Sequence, residues 1–431
     1  MKTTTLKKVI GFDSWTGGAF NYERIAREFT ARGWEFCVVH ISSWDGKSSP
    51  LPIEYIDGVE YRDISHYGTN RLEAVLEAEH PDAVVFLSVD TFAHRAFNRL
   101  AIRRGIPTLN LYHGLVSVQE VGPVRQYKVN VLAQTLFIIE RIPKALRHIW
   151  PAYVSAMLAT RAKASDWSRF IGDIAIMASG RRPYTAAPDA RTTRCCVYTS
   201  ADVNHATNRY GFQVSEVVPV GNPDLERFGL TGVDIGARLA SANGDEVMYI
   251  DTGLVYTGCV FASHTQFVRH LIDTRDALAD QGLRLLFKPH PHHERTGLLG
   301  KLAAAGIVSC SREEFVPRLR SCRAAIVEPS SLAIVPALMG LPLLLNQCGA
   351  LSGQLYGTVL TSYPRHVRLQ ELEQCLVSIE LAESQPDVAA TRSWIERNAG
   401  PLPSEAMPAR VVDLVIQLID AARGDGSTEQ A

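Results

Sequence analysis

No run of about 18 consecutive apolar residues occurs in this 431-residue chain, which argues against a spanning helix. No C-x-x-C pair occurs among the eight cysteines, at 37, 195, 196, 259, 310, 322, 348 and 375. Several of them lie in apolar runs, where cysteine behaves as a small hydrophobe, and they read as reduced core residues of a cytoplasmic protein. Net charge is nearly absent as well. Lys and Arg number 44 against 45 Asp and Glu, so no global field draws the chain to nucleic acid, and none is expected as a partner. The opening MKTTTLKKVIGFDSW carries lysines but no apolar stretch of signal-peptide length, so export is not expected. Internal repeats and low-complexity tracts are missing too, apart from a polar tail at 424–431 expected to be disordered.

What remains is 46% hydrophobic and 21% charged, enough to bury a large core, and long enough for two domains. Strand-like KKVIGFD is followed by a loop with Gly17 and Gly18. Next comes an amphipathic helix with apolar Phe20, Ile25, Ala26 and Phe29, then a stop at Gly33 and a second strand. The same alternation returns in RLEAVLEAEHPDAVVFLSVD and in FNRLAIRRGIPTLNLYHG, where His113 and Gly114 stand just past a strand. Alternating helices and short apolar strands predict an α/β domain with a parallel sheet over 1–221. Residues 124–182 break the rhythm and read as a helical insertion. Ten Lys or Arg face only Glu140, Asp166 and Asp173 there, with Trp150, Tyr153, Trp167 and Phe170 interleaved. Two readings stand: a solvated helical cap, the weightier one, or a surface at 125–169 that meets anionic lipid at the inner face of the cytoplasmic membrane. Turn formers over 222–245 mark the boundary, and a second α/β domain spans 222–423.

Ligands of open α/β sheets sit at the carboxyl ends of the strands, so the residues after each apolar run carry the chemistry. In RLLFKPHPHHERTGLL, Lys288 and His290 fall on alternate positions with prolines holding the chain extended. A lysine supplies a point charge toward phosphate, and a histidine donates to its oxygen or delivers a proton. His293, outside the alternation, reads as a surface residue. Zinc would need a His-Cys-Asp cluster at ligand spacing, and none is near, so no metal site is expected. In VEPSSLAIVPALMGLP, Ser330 and Ser331 open a helix that either binds an anion or is simply capped. Asp251, Thr252 and Gly253 follow another strand, and Asp13 and Asp90 end strands of the first domain. Asp90 is more simply a helix cap.

K-P-H-P at 288–291 followed later by E-P-S-S at 328–331 and G-L-P resembles the second domain of GT-B-fold transferases that build bacterial surface polysaccharides. The likeness is to the HP and SS motifs of bacterial sialyltransferases, CMP-Kdo transferases and CDP-glycerol polymerases. VPVGNPDLERF and the first glycine-rich loop resemble other segments of that fold. The resemblance implies a GT-B-like fold, two Rossmann-like domains facing across a cleft. It implies a glycosyltransferase without metal or resident cofactor, whose nucleotide-sugar donor is a co-substrate and whose acceptor is a polysaccharide or lipid-linked glycan. His290 would contact the donor phosphate and assist the leaving group. Lys288, Glu328, Ser330, Ser331, Gly253, Gly17 and Gly18 would line the nucleotide site. YHGL makes His113 a candidate acceptor-side base. YIDTGL resembles an acidic D/E-D/E-G motif, with Thr252 in place of its second acid, and makes Asp251 a further candidate. Asp13 or Asp90 are alternatives for the base. A nucleotide-sugar 2-epimerase, a CDP-alditol phosphotransferase and a non-catalytic nucleotide-binding protein are the competing functions.

Overall fold

The computed structural model describes residues 7–14, 16, 19–45, 49–115, 142–178, 186–239, 244–257, 260–291, 293, 297–384 and 387–425. Two sheets organise it. The first has eight strands: β1 (Lys8–Asp13), β2 (Glu35–His40), β3 (Ile53–Ile56), β4 (Val59–Asp63), β5 (Ala83–Phe86), β6 (Thr108–Leu111), β7 (Arg194–Val197) and β8 (Val217–Pro219). Their order is β3-β4-β2-β1-β5-β6-β7-β8, parallel throughout except for the β3–β4 hairpin at one edge. Such strands are buried on both faces, which is why β1 reads as a nearly unbroken apolar run rather than an alternation.

One face of this sheet is covered by helices α1 (Ala19–Ala31) and, on the other, α2 (Leu72–Glu79) and α3 (Phe92–Arg103). Gly11 permits the close seat of α1. A Cβ there would lie 2.7 Å from the Tyr22 ring, whose hydroxyl donates to the Phe12 carbonyl at 3.1 Å. The helical insertion appears as a π turn, Ala145–Ile149, running into α4 (Trp150–Ala159) and then α5 (Ala164–Ala178). Residues 124–141 and 179–182 lie outside the described residues. Arg95 on α3 ties the cap down, with Nη1 on Asp173 at 2.8 Å, Nη2 on the Tyr153 hydroxyl at 2.8 Å and Nε on Asp189 at 2.8 Å.

The second sheet holds β9 (Glu246–Ile250), β10 (Arg284–Lys288), β11 (Val308–Ser309), β12 (Cys322–Val327), β13 (Leu343–Asn346) and β14 (His366–Leu369). It is parallel, in the order β11-β10-β9-β12-β13-β14. Helix α6 (Pro223–Arg227) lies between the sheets in sequence, α7 (His264–Asp280) follows β9, and α8 (Ile334–Met339) follows β12. The strand order reverses at β9, so that the crossovers on either side leave a crevice above its carboxyl end.

The last helix, α9 (Met407–Asp425), corrects the domain reading of the sequence. It packs on the first sheet beside α1, not on the second. Met407, Val411, Val412, Val415 and Ile419 join Val9, Ile25 and Phe29 in one buried cluster, and Arg423 pairs with Asp82 at 2.6 Å. Gly424 and Asp425, assigned to the polar tail, complete this helix, and 426–431 lie outside the described residues. The seven described cysteines are all buried and unbridged.

Candidate active site

Three strand tips stand level at the reversal point of the second sheet. Lys288 is the register partner of Ile250, and Ile250 of Val327, so the β10 and β12 tips flank that of β9. Two strand spacings put them about 10 Å apart. Lys288 is 7% exposed and its Nζ lies 3.4 Å from the Pro289 carbonyl, while His290, two residues on, is half-buried. Across β9, Ser330 caps a 3-10 turn, Ser331–Ala333, that leads into α8. Its Oγ accepts from the Leu332 N–H at 3.1 Å, and Ser331 is exposed.

Asp251, expected to be catalytic, is instead consumed by structure. Its Oδ1 accepts from the Gly253 N–H at 2.8 Å, and its Oδ2 accepts from the His290 N–H at 3.0 Å and meets His293 Nε2 at 2.6 Å. Both side chains are fully enclosed, and the His293 ring stacks on Phe267 at 5.6 Å. His293 is therefore a core residue, not a surface one. The carboxylate braces the K-P-H-P segment against β9, and Gly253, with φ of 77°, supplies the left-handed turn this requires. Glu328, expected to meet the nucleotide, is buried in the opposite sense. It accepts from the Tyr249 hydroxyl at 2.8 Å and from Thr252 N and Oγ1 at 2.9 and 2.6 Å. Burial, reinforced by the Asp251 charge, pushes its carboxyl up to about 8, so at neutral pH it holds a proton. Sequence patterning showed both acids after strands but not which way they turn.

On the first sheet, His113 is exposed just past β6, with its Nδ1 at 2.9 Å from the Leu87 carbonyl. A carbonyl only accepts, so Nδ1 carries the proton and Nε2 keeps its lone pair in the neutral ring. Asp13, at the β1 tip, is buried and accepts from the Ser14 N–H at 2.6 Å. His94, which the sequence reading did not single out, points Nε2 to within 3.8 Å of Asp13 while its Nδ1 meets Thr91 Oγ1 at 2.5 Å. The T-x-x-H spacing at a helix start was its only signal. Thr91, not Asp90, caps α3; Asp90 accepts from the Tyr210 hydroxyl at 3.1 Å and pairs with Arg209 at 3.3 Å. Gly17 and Gly18 lie outside the described residues. Between the sheets, Asp224 on α6 has Arg24, Arg227 and His113 as its neighbouring charges, and the enclosing protein raises its carboxyl above the ordinary range. Nη1 of Arg24 is buried there without a hydrogen bond among the described residues. Among the described residues, no three His, Cys, Asp or Glu side chains are grouped to hold a metal ion.

The calicheamicin glycosyltransferase CalG4 superposes on 97% of this chain and 99% of its own with a TM-score of 0.53, at 12% identity. The fold is GT-B. The UDP-bound MnaA of S. aureus aligns with 96% of this GT-B chain and 97% of its own (TM-score 0.48, 11% identity). MurG of Acinetobacter baumannii aligns with 95% and 99% (TM-score 0.47, 12% identity). The sequence matches no protein-family model and no curated protein. At 12% identity the CalG4 likeness shows the architecture alone.

Proposed function

We propose that the chain is a glycosyltransferase that moves a sugar from a CMP- or CDP-linked donor to a hydroxyl of a surface polysaccharide or glycolipid. The observation that carries this reading is the level placement of Lys288, His290 and the Ser330-capped turn around the β9 tip. A phosphate held between them would meet an ammonium, an imidazole and the backbone N–H groups of a turn start. The acceptor oxygen would attack the anomeric carbon as the bond from that carbon to the donor phosphate breaks. The electron pair leaves with the nucleotide phosphate, where Lys288 and His290 offset the charge, and this reading needs no metal. The acceptor proton passes to Nε2 of His113, the atom its bond to Leu87 keeps available. The resemblance of the K-P-H-P and E-P-S-S motifs to those of CMP- and CDP-using transferases is what supports cytidine as the base.

His290→Ala is expected to lower turnover by at least about 100-fold. Near-full activity in that variant would remove the assignment. A thermal-shift panel of CMP, CDP, UDP and GDP identifies the base, and conversion of a UDP-HexNAc to its epimer without acceptor would move the chain to the 2-epimerases.

We further propose that the helical cap rests on an anionic membrane. Among the described residues no helix is long and apolar enough to cross one. On the cap, however, Ile142, Leu146, Leu158, Ile171 and Ile176 are exposed, and Arg147, Arg161, Lys163 and Arg169 make no ion pair among the described residues. Exposed apolar side chains beside unneutralised cations suit a lipid surface. Flotation with phosphatidylcholine vesicles, with and without phosphatidylglycerol, tests this; wild-type protein that stays in the soluble fraction with both would end the idea.

A further inference from the structure

A cavity of about 180 Å³ opens where the π turn and α4 meet the start of α2 and the middle of α3. Leu72, Leu100 and Ala156 belong to its apolar lining, and Glu73, Arg147, His148 and Ser155 to its polar lining. Arg71, also at the cavity, is already bound to Glu73 at 2.7 Å, whereas Arg147 is exposed and makes no ion pair among the described residues. His148 stacks on Trp44 with ring centres 5.5 Å apart, which fixes its plane. Its Nδ1 is nevertheless buried and has no hydrogen-bond partner among the described residues. A buried polar atom without a partner costs on the order of 1–3 kcal/mol. The wider π turn, rarer than an α turn and often kept at sites of function, is what carries Arg147 and His148 here.

We infer that this cavity receives the phosphodiester headgroup of an anionic phospholipid, with the phosphate at Arg147 and the glycerol end against the apolar lining. The inference rests on the proposed membrane seat of the cap and names the lipid contact within it. The Arg147 guanidinium, with no carboxylate paired to it among the described residues, attracts the phosphate charge. An apolar lining distinguishes a lipid from a free phosphate, which would gain nothing from Leu72 or Leu100. The site lies away from the strand tips of the second sheet, so donor binding does not depend on it.

The test uses the full chain and dihexanoylphosphatidylglycerol below its critical micelle concentration. Dihexanoylphosphatidylcholine serves as zwitterionic control and inorganic phosphate as headgroup control. Wild type is expected to bind the anionic lipid saturably, at least about tenfold tighter than either control. Arg147→Gln, which removes the charge from an exposed side chain, and Ser155→Trp, which fills the space, should each weaken binding by about tenfold or more. No saturable binding in wild type, wild-type affinity in both variants, or equal binding of inorganic phosphate would each overturn the lipid assignment. Vesicle flotation of the same variants separates the layers. Variants that float normally with unchanged lipid affinity sink the cavity alone, wild type that never floats sinks the membrane seat, and nucleotide stabilisation reports independently on the transferase reading.

Discussion

At the residue scale, the protonated Glu328 has a thermodynamic consequence. Its folded pKa of about 8 lies above the unfolded value of 4.5, so between those limits the folded state holds the extra proton. Stability from this group is complete below about 4.5 and is lost as pH rises through about 8. His205 and His270 act with the other sign, since burial lowers each to about 4 and the unfolded chain takes up protons first below about 6.5. Stability should therefore peak near pH 6–7. Glu328→Gln, which keeps a neutral hydrogen-bonding shape, should flatten the alkaline limb by about 1 kcal/mol or more between pH 6 and 9, as read by urea denaturation. An unchanged slope would mean that Glu328 is ionised in the folded state. His113 belongs to the same scale: His113→Gln is expected to cut turnover by about 100-fold with little change in the donor KM, because the proton acceptor is lost while the second sheet is untouched.

At the scale of the element, the K-P-H-P segment owes its position to a buried acid rather than to its prolines alone. Asp251→Ala leaves the N–H groups of Gly253 and His290 and the His293 ring without their acceptor, and should cost about 2–3 kcal/mol in urea unfolding. Donor affinity should fall with it, since His290 loses its anchor. This is also where sequence legibility ended. Strands, crossover helices and the residues at strand ends could be read from apolar runs punctuated by Gly and Pro, because a parallel sheet buries both faces and its loops carry the polar chemistry. Direction could not. His293 looked exposed because it falls outside the alternation that places Lys288 and His290, yet a turn closed by its N–H on the His290 carbonyl at 2.9 Å sends it against Phe267. Asp251 and Glu328 looked available because a carboxylate after a strand often is, and only tertiary partners on neighbouring strands, Tyr249 and Thr252 among them, decide otherwise. His94 was passed over because its significance comes from Asp13, remote in sequence and adjacent only across the strand tips.

For the whole molecule, the decisive feature is that the chain leaves the first sheet after Pro219, builds the second, and returns with α9. The apolar stripe of α9 was evident in the sequence, but a stripe says only that some surface covers it, not which. Val415→Asp, which places a charge in the cluster shared with β1 and α1, should destabilise the first lobe by about 3 kcal/mol or more. Hydrogen exchange would register it as faster exchange in β1 and β2 than in β9 and β10. Equal acceleration in both sheets would mean that the two lobes unfold as one unit.

The same return also bears on synthesis. A ribosome finishes every strand of the first sheet by Pro219 and must add the chain through Asp425 before one flank of that sheet is shielded. At elongation rates of about 5–20 residues per second this leaves a bare hydrophobic flank waiting roughly 10–40 s. The nascent polypeptide is thus a natural client for chaperones, and messages truncated shortly before the last helix should yield insoluble product even though both sheets are encoded in full.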